Sequence, residues 1–133
     1  MTALSLGNVS ELGIPPISRT TLALFAGASG DVNPIHIDID VAKSAGLDDV
    51  FAHGMLSMAY LGRLLTNIAP QQQLRSFKVR FASFTPIYGS PKCTATVTSI
   101  DDASGELCAN LTLQMALPDG TVTLLGDAVI ALD

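Results

Sequence analysis

Apolar and polar residues change their spacing once along this chain, near residue 70. Before that point the apolar positions recur at helical intervals. Leu22, Leu24, Phe25 and Ala26 fall in a segment from about Ser18 to Ala28, with Ser18 placed as N-cap and Gly27 and Gly30 near its end. A short helix is expected from about Asp40 to Ala45, started by Asp38 or Asp40 and closed by Gly46. The stretch Gly54–Ile68 leaves almost no polar face, interrupted only by Ser57, Arg63, Thr66 and Asn67. A helix this apolar is expected to be buried on most sides; at 1.5 Å per residue it would run roughly 22 Å before Pro70 ends it.

From Leu74 the period becomes two. Arg75, Phe77, Val79 and Phe81 alternate with Ser76, Lys78, Arg80 and Ala82, which reads as a strand. Pro91–Ile100, Glu106–Leu117 and Thr121–Leu132 read as three more, joined through Ala103-Ser104-Gly105 and Pro118-Asp119-Gly120. Short turns between successive strands make the sheet antiparallel. A buried helix before such a sheet gives an α+β domain with the helix along the concave face. No repeat, low-complexity tract or linker divides residues 1–133, so one domain is expected.

Composition adds a partner to this picture. Apolar residues are 48% and charged residues 14% of 133 positions, more apolar surface than a small monomer hides, so a dimer or larger assembly is expected. No run approaches the roughly 18 apolar residues of a membrane span. No basic residue precedes Arg19, as a signal peptide would require, so a cytoplasmic location is expected. Cys93 and Cys108 are too few for a disulfide framework or a zinc site, and are expected to pack as small apolar side chains on strands.

The net charge of −5 argues against a nucleic-acid partner. Yet no acidic residue lies between Asp49 and Asp101, where Arg63, Arg75, Lys78, Arg80 and Lys92 all fall. That stretch suggests contacts to a small anion such as a phosphate; ordinary solvated strand faces explain it equally well.

Both histidines sit in short, conformationally restricted segments. In Asp31-Val32-Asn33-Pro34-Ile35-His36, Pro34 fixes its own φ and steers Asn33 away from helical angles. A turn with so few choices can aim a carboxylate and an imidazole at one water molecule, the requirement for acid–base work. Spacing alone leaves a second reading open, in which Asp31 caps a turn and His36 is a satisfied structural histidine. His53-Gly54-Met55 opens the apolar helix, whose first amides have no intrahelical acceptor. Gly54 would let a carbonyl oxygen come close to such an amide, as in an oxyanion hole, although a glycine chosen for helix packing fits as well. His53 is expected to be a structural hydrogen-bonder that caps the helix.

The string Phe25-Ala26-Gly27-Ala28-Ser29-Gly30-Asp31-Val32-Asn33-Pro34-Ile35-His36, followed by His53-Gly54-Met55, resembles the hydratase motif of the MaoC-like (R)-specific enoyl-CoA hydratases and 3-hydroxyacyl dehydratases. The resemblance implies a hot-dog fold, a long central helix wrapped by an antiparallel sheet. It implies that Asp31 and His36 activate water for syn addition to a trans-2-enoyl thioester, and that the Gly54 amide binds the thioester carbonyl. Asn33 would hold the active-site loop, with His53 in support.

It further implies no metal or redox cofactor, coenzyme A or an acyl carrier protein as carrier, and a homodimer or a heteromer with another hot-dog subunit. Arg75, Lys78 and Arg80 are then candidate phosphate contacts. A dehydratase subunit of an elongation heteromer and a non-catalytic acyl-binding subunit are the alternatives. One departure stands out: Gly62 occupies the position where some short bacterial hydratases carry a serine supporting the aspartate. Ser57, more than a turn away, is no obvious substitute. Close packing or room for an acyl chain would account for a helical glycine that costs about 1 kcal/mol against alanine.

Overall fold

The computed structural model describes residues 4–132. Strand β1 (Val9–Gly13) is followed by helix α1 (Arg19–Ser29), a 3-10 turn (Pro34–His36) and helices α2 (Ile39–Ser44) and α3 (Gly54–Ile68). After a second 3-10 turn (Gln71–Gln73) come β2 (Leu74–Phe81), β3 (Lys92–Asp101), β4 (Cys108–Ala116) and β5 (Val122–Ala131). The five strands form one open antiparallel sheet in the order β1-β3-β4-β5-β2, and α3 packs across it as the central helix of a hot-dog fold.

The caps read from the sequence form. Ser18 accepts a hydrogen bond from the Thr21 amide at 3.1 Å, and α1 ends where Gly30 takes φ 81° and its amide donates to the Ala26 carbonyl. For α2 the cap is Asp38, which accepts from the Asp40 amide at 2.9 Å. Helix α3 has the expected bounds, and most of its apolar residues are buried or partly buried, as expected. Leu56, Ser57, Leu61, Leu64 and Leu65 are buried, whereas Met55 is 58% exposed and Ala59 also faces solvent. Met58, Tyr60 and Ile68 are partly buried against the same core, so the exposed apolar side chains of α3 are Met55 and Ala59.

The buried leucines of α3 meet the inward residues of the sheet. Cys93, Ala95 and Val97 on β3, Leu111, Leu113 and Met115 on β4, and Leu124, Ala128 and Ile130 on β5 are all buried in one cluster with α3. Small residues at Cys93, Ala95 and Ala128 let the helix come close, and each large side chain fully buried there contributes about 1.5–3 kcal/mol. Both cysteines are buried on strands as expected, and burial pushes the Cys93 thiol up to about 11.

Two features of the sheet depart from the sequence reading. Strand β1 was not expected; it pairs with β3 from Val9↔Thr96 to Gly13↔Lys92, with Lys92 and Glu11 ion-paired at 2.7 Å. On β2 the simple alternation fails at its start. A register shift between Leu74 and Ser76 leaves Arg75 as an extra residue, so it does not share the inward face of Phe77 and Val79. Farther along, Gly126 of β5 lies opposite Val79 and so near β2 that a β-carbon on it would stand 2.2 Å from the Lys78 carbonyl oxygen. No helix among the described residues is long and apolar enough to cross a membrane.

Candidate functional site

The segment after α1 folds through interlocked side chain–backbone bonds. The Asp31 amide donates to Ser29 Oγ at 3.1 Å, and Asp31 Oδ1 accepts from the Asn33 amide at 3.3 Å. Asn33 Oδ1 in turn accepts from the Ile35 amide at 3.1 Å, which starts the Pro34–His36 turn. The His36 amide closes that turn by donating to the Asn33 carbonyl at 3.1 Å. Asn33 thus holds the loop, and Asp31 and His36 leave it on the same side: Asp31, His36 and His53 each place a ligand-type atom within 4.8 Å of the others. Asp31 is exposed, His36 is almost buried, and His53 is wholly buried.

Two carbonyls determine how protons are arranged on the imidazoles. His36 Nδ1 lies 2.8 Å from the Phe51 carbonyl oxygen, and a carbonyl only accepts, so Nδ1 carries the hydrogen. In the neutral ring, Nε2 of His36 is then a free acceptor. His53 Nε2 lies 3.0 Å from the Asp31 carbonyl oxygen and donates to it for the same reason. His53 Nδ1 is buried with no hydrogen-bond partner.

The two rings stack with centroids 4.0 Å apart and planes at 26°. Phe25 meets His53 edge-on at 4.9 Å, and Phe51 meets His36 edge-on at 4.9 Å. Burial holds His53 below the usual histidine range; the bond to Asp31 opposes this and His36 reinforces it. The expectation that His53 caps α3 is corrected. It occupies the N-cap position, but its side chain makes no capping bond and goes to the Asp31 main chain instead.

Gly54, the first residue of α3, lines a cleft of about 480 Å³ together with Phe51, Ser57, Phe81, Phe84 and Leu124. The Phe81 ring covers Gly54 so closely that an added β-carbon would meet it at 3.1 Å. Phe51 and Phe84 stack with centroids 4.2 Å apart. The Ala52 amide donates to the Thr85 carbonyl at 2.9 Å, which ties the segment before α3 to the loop after β2. Ser57 Oγ lies 3.4 Å from Thr85 Oγ1, both residues buried. Ser57 had no assigned role in the sequence reading, although its i+3 spacing from Gly54 was a usable signal. The Phe51–Phe84 wall had none, because 33 positions separate its halves.

The basic residues go elsewhere. Arg75 is held by Glu106 through Nε and Nη2, both at 2.9 Å, at the end of β2 opposite Phe81, about 20 Å away along the strand. Lys78 and Arg80 alternate with the inward Phe77 and Val79 and so point to the other face, where they line a polar cleft of about 310 Å³ with Asp127. None of the three lines the cleft beside Gly54. Gly62 faces Phe77, which would lie at an ordinary 3.4 Å from an added β-carbon, and it does not line the cleft beside Gly54. Neither close packing, which leaves room for a β-carbon, nor an enlarged cleft accounts for this glycine.

Asp31, His36 and His53 are near enough together to be considered as metal ligands. The donor geometry fits poorly, since stacked imidazoles direct their in-plane lone pairs side by side rather than toward one ion. Asp31 and His36 thus bring a carboxylate and an imidazole within 4.8 Å of one another, with His36 Nε2 left as an acceptor in the neutral ring.

A family model described as the MaoC like domain matches residues 11–104. An (R)-specific enoyl-CoA hydratase of Rhodospirillum rubrum is 33% identical over 82 residues, covering 62% of this chain and 57% of that protein. The (R)-specific enoyl-CoA hydratase of Aeromonas caviae is 28% identical over 117 residues, 84% of this chain and 83% of that protein. The solved structure of an (R)-hydratase from A. caviae involved in PHA biosynthesis superposes with a TM-score of 0.85 at 22% identity, covering 100% of both chains. That structural likeness speaks to the fold.

Proposed function

The chain belongs to the MaoC-like family of hot-dog hydratases and dehydratases, and from that membership we propose that it is an (R)-specific enoyl-CoA hydratase. The reaction is the reversible syn addition of water to a trans-2-enoyl thioester, giving an (R)-3-hydroxyacyl thioester. The observation that carries the reading is the convergence of Asp31 and His36, within 4.8 Å, on a turn bonded to the start of α3. The names of the R. rubrum and A. caviae relatives support it.

In this reading the thioester carbonyl accepts from the Gly54 amide, where the helix dipole favours the charge that develops on oxygen. Water donates to Asp31 and to His36 Nε2. Its oxygen bonds to C3 as the C2–C3 double bond opens, and the pair removes one water proton. The enolate carbon C2 then takes a proton from the same pair. Because both groups lie on one side of the substrate, hydroxyl and hydrogen arrive on the same face. Dehydration retraces these steps, so a dehydratase role would use the same groups.

Lys78 and Arg80 remain the proposed contacts for phosphates of the carrier, supported by their shared cleft; Arg75, already paired with Glu106, has the weaker case. A homodimer is proposed because Met55, Phe81 and Phe84 leave 58%, 52% and 63% of their surface exposed. Hydration of crotonyl-CoA, followed by loss of the enoyl absorbance, tests the chemistry. Asp31→Asn and His36→Ala should each lower kcat by about 10²–10⁴ without loss of fold. Near-native rates in both variants would remove the mechanism.

A further inference from the structure

His53 touches both members of the Asp31–His36 pair, and among the described residues its Nδ1 is the one buried side-chain nitrogen without a hydrogen-bond partner. We infer that His53 is a positioning residue that works only as a neutral imidazole, fixing the Asp31 main chain through its Nε2–H and the His36 ring through its face. The kinetic part of this inference rests on the hydratase reading; the structural part does not.

Three observations carry it. The Asp31 carbonyl can only accept, so the 3.0 Å contact requires a hydrogen on His53 Nε2. The other nitrogen, Nδ1, is buried without a partner, and adding a proton there would place a donor where nothing accepts it. The ring stacks on His36 at 4.0 Å, so a charged His53 would also face the imidazolium that forms when His36 takes a proton. The charged groups acting on His53 are Asp31 and His36, and α1 contributes only the apolar edge of Phe25.

A single planar side chain thereby sets the separation of two groups that come from different parts of one turn. Asp31 has an exposed side chain and owes its position to its backbone, which His53 pins from below. His36 is gripped at one edge by the Phe51 carbonyl and on one face by His53. Gln would supply a comparable N–H without the ring, and Phe would supply the ring without the N–H, so the two functions can be separated.

The experiment compares wild type, His53→Gln and His53→Phe by kinetics and by ¹⁵N spectra of labelled histidine. In the wild type at neutral pH, His53 should give the signals of a neutral ring protonated at Nε2. His53→Phe should keep His36 protonated at Nδ1 yet lower kcat about 10- to 100-fold with KM within about threefold, the signature of misplacement rather than lost binding. His53→Gln should retain more activity but allow His36 to populate both tautomers.

Wild-type kcat in both variants, or a wild-type spectrum showing His53 protonated at Nδ1, would overturn the inference. Should the wild type hydrate no enoyl thioester, the hydratase reading fails. The spectra then decide the inference alone, through the His53 tautomer and the response of His36 in His53→Gln. If His53→Phe does not fold, His53→Gln still supplies both readouts.

Discussion

The Phe81 ring stands 3.1 Å from the point a β-carbon on Gly54 would occupy, tighter than side chains ordinarily allow. An alanine at this position must therefore displace the ring or lose close access to its own amide. Phe81 ends an edge strand and is about half exposed, so it can give without disturbing the core. Gly54→Ala should leave the thermal midpoint within a few degrees while lowering kcat/KM for enoyl thioesters about 10²-fold. Steady-state kinetics beside a melting curve separates the two effects, and unchanged kinetics would remove Gly54 from the site.

Gly126 presents the opposite case. A β-carbon there would meet the Lys78 carbonyl oxygen at 2.2 Å, and a backbone atom in a strand pair cannot swing aside. Gly126→Ala should destabilise the fold by about 3 kcal/mol as β2 is forced away from β5, read from urea unfolding.

Gly62 should tolerate what Gly126 does not. Its added β-carbon would touch Phe77 at 3.4 Å, an ordinary contact, and the helix would gain a better former. Gly62→Ala is expected to stabilise the protein by about 1 kcal/mol in the same assay. Gly62→Ser should leave the preference among enoyl chain lengths unchanged, because this position does not line the cleft beside Gly54.

Stability should fall with acid in two separate steps. Burial lowers the His53 pKa from the ordinary 6.5, so the unfolded chain binds a proton more readily than the folded one. Its contribution is present above about pH 6.5 and is lost as pH falls through the lowered folded value. Asp49 beside Arg19 and Glu106 beside Arg75 are also lowered, mainly by those guanidinium bonds, and their contributions fade only in the carboxylate range below. Melting points across pH 8 to 3 should show both steps, and His53→Gln should erase the upper one only.

The sequence made the local parts of the fold legible. Ser18, Gly30, Asp38 and Pro70 mark helix ends because capping acts within a few residues, and α3 has the bounds expected. Strand β1 escaped because a five-residue edge strand exposes Val9, Glu11 and Gly13 and buries no residue fully. The ion pair of Arg75 was not legible because its partner, Glu106, lies 31 residues away and its own position is a bulge. At the candidate site, residue type and spacing singled out Asp31, His36 and Gly54 but left structural readings open, and their proposed roles come from the family resemblance. The task of His53 was hidden for a different reason: its partner is a main-chain carbonyl, which every residue has and no sequence marks.

The acid–base groups and the proposed carbonyl-binding amide all come from one continuous stretch, Asp31 to Gly54, whereas Phe81, Phe84, Thr85 and Leu124 of the cleft come from the sheet half. In the proposed reading the reacting groups lie in one half of the gene, while the cleft is shared between that half, through Phe51 and Ser57, and the other. Divergence in the second half can change what the cleft admits while the first half is inherited intact, so descendants of such a chain would keep one reaction and acquire many substrates.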